Sequence, residues 1–401
     1  MDPRPLSSTA VNLSIISIVC FNFASYVCNG LPLAVLPGFV LNDLGLNSVV
    51  AGILIGAQYM ATLLARPLAG TLADRVGAKR SVTYGLSGLM LSGALTCLGI
   101  FLHGTPWLSL AVLLAGRLLQ GLCSALISTP CCTWAIGLHG TQRSAQVMSW
   151  NGIAAYGGTA VGAPLGVLVR DHFGLGSIGL GVTLLGLLAL LFALTRPAAP
   201  LQPGVRLPFG DVFRTVLPNG VAMACSSAGF GSLTAFIALY FDSLGWAHAA
   251  WCLTGFGAAF IAARLASPNV VTRHGGYRVV TVCMLVQSLG LLLIWLAPSP
   301  ALVILGASLT GAGVSWVYPG LAVETLARTP AANRNSALSA LSLFFDLAVG
   351  LAGPVMGLIA SGLGLARVFL CAGLLSMLGF ALVRLLHRRS VEAARHDQAL
   401  S

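Results

Sequence analysis

The sequence predicts an all-α membrane protein, with twelve transmembrane helices in two pseudo-symmetric six-helix bundles. Three observations carry that prediction. The chain of 401 residues is 57% hydrophobic and only 8% charged, whereas a soluble domain carries roughly 25% charged residues to wet its surface. Apolar runs of about 20 residues recur from end to end, each long enough to cross a hydrocarbon core of roughly 30 Å. The order of charged and small residues also repeats between the two halves. Backbone groups in lipid must be satisfied within their own segment or in a closed barrel. Runs this long, without alternation of polar and apolar residues, therefore dictate helices.

Charged residues and Gly/Pro clusters divide the apolar runs into twelve spans: 11–40, 48–69, 82–102, 107–137, 145–169, 175–195, 215–241, 248–270, 279–297, 301–324, 336–360 and 366–386. The first begins near Val11 and holds Asn22, Asn29 and Pro32. It lacks a short apolar core followed by a small-residue cleavage site, so it reads as a retained helix. The longest interruption, Arg196 to Arg214, contains four prolines and three arginines. It reads as a linker between an N-terminal bundle, 1–195, and a C-terminal bundle, 215–401, which ends in a short tail.

The net charge of +11 does not point to nucleic acid, because the basic residues form short clusters between apolar runs and no basic face with interleaved aromatics appears. Such clusters set orientation. With the N-terminus inside, sixteen of the 21 Lys and Arg residues fall in inner loops and tails. Arg170 and Arg367 fall outside, and Arg66, Arg117 and Arg264 lie within spans. Both termini are then expected on the cytoplasmic side. The ten cysteines all lie in apolar runs without C-x-x-C or Cys/His spacing, and read as small buried residues rather than metal ligands.

Ala65-Arg66-Pro67-Leu68-Ala69 returns 198 residues later as Ala263-Arg264-Leu265-Ala266-Ser267, and Arg75, Gly77 and Arg80 fall on Arg273, Gly275 and Arg278 at the same offset. Such internal repeats suit a protein whose site lies where two related units meet at the bilayer midplane.

Between spans two and three the chain reads Gly70-Thr71-Leu72-Ala73-Asp74-Arg75-Val76-Gly77-Ala78-Lys79-Arg80. Gly70 permits close helix approach and Gly77 a tight turn with positive φ. Asp74 is an anion suited to the positive N-terminus of a neighbouring helix. This run resembles the signature loop of the major facilitator superfamily, which latches the cytoplasmic side in that family. The resemblance implies that Asp74 meets the start of span eleven near Asn335 and Ser336, within a gate that includes Gly70, Arg75, Gly77, Lys79 and Arg80. Glu324, at the inner end of span ten within reach of Arg273 and Arg278, is placed with the same gate. Pro268 and Thr272 replace Gly70 and Asp74 in the second-half copy, so the latch is expected to be asymmetric.

Span four carries Arg117-Leu118-Leu119-Gln120-Gly121, which resembles the family's fourth-helix arginine motif. Arg117 lies about 15 Å along the helix from Trp107, near mid-bilayer. A charge at that depth needs a partner or a cavity, as a coupling group or as a buried tie between helices. Span five carries Gly158-Thr159-Ala160-Val161-Gly162-Ala163-Pro164-Leu165-Gly166, similar to the glycine–proline motif of the family's antiporters; close packing by glycines at four-residue spacing explains it equally well. Asp346 in span eleven is the acid placed deepest in the bilayer. It is read as a proton-coupling group together with Arg117, the alternative being a static ion pair. Asn22, Tyr26, Asn29, Gln120, Tyr156, Ser226, Phe230, Ser315 and Tyr318 are read as lining one substrate cavity. The resemblance places spans one, four, seven and ten around the central path.

Two longer stretches, Phe21 to Gly38 and Gly311 to Pro319, resemble the YhhS/YfcJ-type branch of bacterial facilitators, regarded as inner-membrane efflux carriers. The resemblance implies proton-coupled export of a small metabolite or drug by alternating access. A proton-coupled importer and a non-transporting membrane receptor stay open. No Gly-x-x-x-x-Gly-Lys-[Ser/Thr], His-Glu-x-x-His or Gly-x-Ser-x-Gly run occurs, so neither enzymatic chemistry, nor a cofactor, nor a metal is expected. The expected partners are the lipid bilayer, a small-molecule substrate and protons, with the monomer as the working unit.

Overall fold

The computed structural model describes residues 8–33, 35–46, 48–200, 207–246 and 249–400, and among these every regular element is a helix. The long helices are α1 (Ser8–Leu33), α2 (Ser48–Val76), α3 (Ala78–Phe101), α4 (Pro106–His139), α5 (Ser144–Phe173), α6 (Gly176–Thr195), α7 (Phe209–Ser243), α8 (Ala250–Ala266), α9 (Gly276–Leu296), α10 (Pro300–Ser315), α11 (Val317–Ala327), α12 (Arg334–Leu363) and α13 (Leu365–Leu400). Ten helices among the described residues are long and apolar enough to cross a membrane, α10 and α11 counting as one. The remaining two of the twelve expected spans correspond to α2 and to the shorter apolar α8.

The chain divides into two compact units: Met1–Phe209 with Pro330–Ser339, and Gly210–Thr329 with Ala340–Ser401. In the first, α4 packs on α3 and α2, α1 on α5, and α3 on α6. In the second, α9 packs on α10 and α13, and α8 on α10. The repeat read from the sequence has a structural counterpart within each unit. Gly77 and Gly275 both adopt positive φ, 93° and 81°, a conformation that costs glycine nothing and other residues much.

The second and fourth helices of each unit also cross at a glycine. A Cβ on Gly121 would lie 2.2 Å from the Gln58 carbonyl oxygen, and a Cβ on Gly311 would lie 2.1 Å from that of Phe256. Backbone cannot yield as a side chain can, so overpacking here should exceed the usual range of about 1–3 kcal/mol. Gly311→Val is therefore expected to abolish monodisperse protein on detergent size exclusion. Gly257→Ala, which meets open space, should leave the profile unchanged.

Four details differ from the sequence expectation. The first span is not one helix over 11–40: α1 ends at Leu33, and a short turn and a π-helical segment, Phe39–Asp43, follow. Pro32 lies in the last turn of α1, and its nitrogen has no hydrogen for the Cys28 carbonyl. Gln120 Nε2 donates to that oxygen instead, at 2.7 Å. Pro130 likewise frees the Leu126 carbonyl, which accepts from Ser81 Oγ at 3.0 Å. Gly70–Arg75, expected in a loop, lie within α2, and Gly77 alone makes the turn into α3. The linker is shorter than 196–214, since α7 starts at Phe209; its residues 201–206 lie outside the described residues. Span ten is interrupted at Trp316.

Candidate functional site

Arg117 is fully buried in the first unit. Its Nη1 donates to Gln120 Oε1 at 2.6 Å, while Nε and Nη2 have no hydrogen-bond partner. A charged hydrogen bond contributes about 1.5–3 kcal/mol, whereas each buried orphan donor costs about 1–3 kcal/mol. By that comparison Arg117 does not stabilise the unit as a helix tie. Arg66 behaves differently: its Nη1 donates to Ser128 Oγ at 2.8 Å and Thr129 Oγ1 at 3.2 Å. Gln58 on α2 is buried too, with an orphan Oε1. Sequence reasoning missed this residue, although a glutamine inside an apolar run was the available signal.

The other first-unit residues read as cavity lining serve partly as ties. Asn22 is buried and donates through Nδ2 to the Asn151 carbonyl at 3.3 Å, its Oδ1 remaining without a partner. Asn29 donates to Ser124 Oγ at 3.2 Å. Gln120 is held by Arg117 and the Cys28 carbonyl. Tyr26 and Tyr156 are half-buried. The glycines of span five pack against α1, since Cβ atoms at Gly158, Gly162 and Gly166 would lie 2.7, 2.5 and 2.2 Å from the carbonyl oxygens of Phe23, Val27 and Leu31.

In the second unit Asp346 is half-buried on α12, about 18 Å along the helix from Arg334 at 1.5 Å per residue. One turn earlier, Ser342 Oγ lies 3.1 Å from Tyr318 Oη. Phe345 stacks with Phe230, their centroids 6.4 Å apart, and Phe230 meets Phe256 at 5.1 Å. The structure thus sets Tyr318 and Phe230 against α12 at Ser342 and Phe345, within one turn of Asp346 along the chain. Ser226 is elsewhere. It is fully buried, donating to Gln287 Oε1 at 2.6 Å and accepting from Gln287 Nε2 at its carbonyl at 2.7 Å. Ser315 is also buried, donating to the Phe260 carbonyl at 2.8 Å.

Asp74 is 8% exposed and accepts four hydrogen bonds from the start of α12. Asn335 N and Nδ2 reach Oδ1 at 3.0 and 2.8 Å; Ser336 N and Oγ reach Oδ2 at 3.0 and 2.5 Å. The backbone donors are among those a helix N-terminus leaves unsatisfied, and the carboxylate meets the positive end of the dipole. Gly70 makes room, since its Cβ would lie 2.9 Å from Ser336 Cα and Ser339 Cβ. Thr133 Oγ1 donates to Asn335 Oδ1. Lys79 donates to the Leu194 and Arg196 carbonyls at 3.0 and 2.5 Å, capping the end of α6, while Arg75 and Arg80 are exposed. Glu324 accepts from the Tyr277 N–H at 3.2 Å, at the N-terminus of α9.

The fold and these buried ionisable groups define a polytopic helical membrane protein. The model of the Major Facilitator Superfamily matches residues 18–263 and 221–399. The chain is 49% identical over 380 residues to an uncharacterized MFS-type transporter of Pseudomonas aeruginosa, covering 95% of this chain and 94% of the relative. It is 44% identical over 389 residues to one of Burkholderia mallei, covering 96% and 95%. Solved structures of similar fold include the human organic anion transporter MFSD10, with TM-score 0.78, 18% identity and coverage of 93% and 99%. The E. coli fucose:proton symporter FucP gives TM-score 0.75, 16% identity and coverage of 92% and 98%. The chain belongs to the major facilitator superfamily and is a multi-pass membrane transporter.

Proposed function

We propose that the protein exports a small metabolite or drug from bacterial cytoplasm across the inner membrane in exchange for protons, as a monomer, by alternating access. The observation that carries this reading is Asp346, a carboxylate set deep in a spanning helix that Tyr318 and Phe230 meet at Ser342 and Phe345. An ionisable group at that depth marks an ion or substrate path. Arg117, with two buried orphan donors, is the second group of the coupling pair, and its unused donors suit an anionic or carbonyl acceptor during the cycle. The Lys/Arg distribution supports cytoplasmic termini. Export itself is supported by the resemblance to the YhhS/YfcJ-type branch, because the span-five glycines already have a packing role against α1.

The test uses inverted vesicles acidified inside by respiration, with acridine orange reporting the pH gradient. Compounds are drawn from a metabolite and drug panel screened by thermal shift on the purified protein. At least one compound that raises the melting midpoint is expected to release protons from the vesicles and to accumulate inside. Arg117→Ala should reduce that compound's thermal shift at least threefold. A stabilising compound that is not accumulated but, once loaded inside, leaves the vesicles together with protons would establish import instead.

A further inference from the structure

We propose that Arg264 is a positioning residue for transport: its guanidinium stands in for the N–H that Pro319 lacks, fixing the break in the tenth span that aims Tyr318 along α12. Pro319 lies four residues after Ser315, so the Ser315 carbonyl has lost its helical donor. In a spanning segment such an oxygen must find another. Arg264, 3% exposed on α8, donates to it twice, from Nε at 3.1 Å and Nη2 at 2.7 Å. Two further bonds lock the same crossing. Ser315 Oγ donates to the Phe260 carbonyl at 2.8 Å, and Trp316 Nε1 donates to the Ala263 carbonyl at 3.2 Å.

Satisfaction of the freed oxygen alone does not require a guanidinium. Gln120 and Ser81 perform that service for the carbonyls freed by Pro32 and Pro130 with neutral side chains. What a guanidinium adds is direction, because its planar fork holds both bonds in one orientation. Its carbon also sits 4.4 Å from the Phe260 ring centroid and 5.9 Å from that of Trp316.

The repeat supplies an internal control. Arg66, the first-half counterpart at the 198-residue offset, donates to the side-chain oxygens of Ser128 and Thr129, while Ser81 donates to the carbonyl freed by Pro130. There α4 runs unbroken from Pro106 to His139. In the second half the arginine takes the backbone carbonyl, and the helix stops at Ser315, turns at Trp316 (φ −101°, ψ 2°) and resumes at Val317. Tyr318 follows directly, its Oη 3.1 Å from Ser342 Oγ. The functional weight of Arg264 rests on the reading that Tyr318 and Asp346 belong to the transport site.

The experiment needs no substrate. A single 3-fluorotyrosine is placed at position 318 of the full chain, and its fluorine spectrum is recorded alongside thermal unfolding. The parent should give one sharp resonance. Arg264→Met should broaden or split it and lower the melting midpoint by about 5 °C, as expected for losing a charged hydrogen bond. Adding Pro319→Ala restores an N–H opposite the Ser315 carbonyl, so the double variant should recover one sharp resonance and at least half of the midpoint. A resonance unmoved by Arg264→Met, or a double variant as broad as the single one, overturns the proposal; the second result would mean that Arg264 acts by packing on Phe260 and Trp316. If Arg264→Met yields no folded protein, recovery of monodisperse protein by Pro319→Ala supports the proposal. A double variant that still fails, when Pro319→Ala alone folds, overturns it. Failure here leaves the proton-exchange reading untouched, and failure of that reading leaves the fluorine result unchanged.

Discussion

Asp346→Asn is expected to abolish uphill accumulation of substrate in inverted vesicles while sparing substrate binding and one-for-one exchange. The substitution keeps the shape and polarity of the side chain and removes its capacity to carry a proton. One proton exchanged down a gradient of one pH unit supplies about 1.36 kcal/mol, which sustains a tenfold concentration ratio. Without the carboxylate that ratio should fall to about 1, whereas the thermal shift caused by substrate should persist. The rival reading, a static ion pair or helix tie, predicts another pattern: breaking a buried pair leaves an uncompensated charge and costs about 3–5 kcal/mol. Exchange, accumulation and melting midpoint would then fall together. Undiminished accumulation by Asp346→Asn would remove this residue from the coupling mechanism altogether, and Asp346→Glu, which retains the carboxylate, should keep a measurable gradient-driven flux.

Much of the fold was legible in the sequence because lipid leaves the backbone few options. Apolar length dictated the spans, and the 198-residue offset pointed to Gly77 and Gly275 as paired turns. The acceptor role of Asp74 was legible too, though only through resemblance, since nothing in its local sequence names Asn335 and Ser336. The interior pairings were not legible. Ser226 looked like cavity lining because a serine in a helix stripe carries no label for what faces it; its partner Gln287 lies 61 residues away on α9. The proline ties were hidden for the same reason. Pro32, Pro130 and Pro319 announce a freed carbonyl four residues earlier, but the rotation of the neighbouring helix decides whether glutamine, serine or arginine serves it. Arg117 and Arg264 show the consequence: both read as buried cations in a span, yet one retains orphan donors and the other uses its fork on backbone.

Disruption of the Asp74 contact should be the second large effect, and it separates a latch from a topogenic loop. In Asp74→Asn one oxygen still accepts from Asn335, but the amide NH2 meets the donors of Ser336. Two charge-assisted bonds are lost, each contributing about 1.5–3 kcal/mol, together with the favourable charge–dipole term of about 0.3–1 kcal/mol. The start of α12 should then exchange its amide hydrogens at least tenfold faster over residues 334–339, with the remainder of α12 unchanged. Gly70→Leu should produce the same local exchange by a different route, because its side chain would enter the space of Ser336 and Ser339 while leaving the carboxylate intact. If this contact closes the cytoplasmic side during the cycle, both variants should lower turnover at least tenfold and leave substrate affinity within about twofold, since neither residue lies among those assigned to the substrate. Thr272→Ala, at the corresponding place of the second-half repeat, should change neither exchange nor turnover, because Thr272 is exposed and such surface substitutions stay within about 0.5 kcal/mol. Equal effects from Thr272 and Asp74 would mean that the capped start of α12 has no special part in turnover.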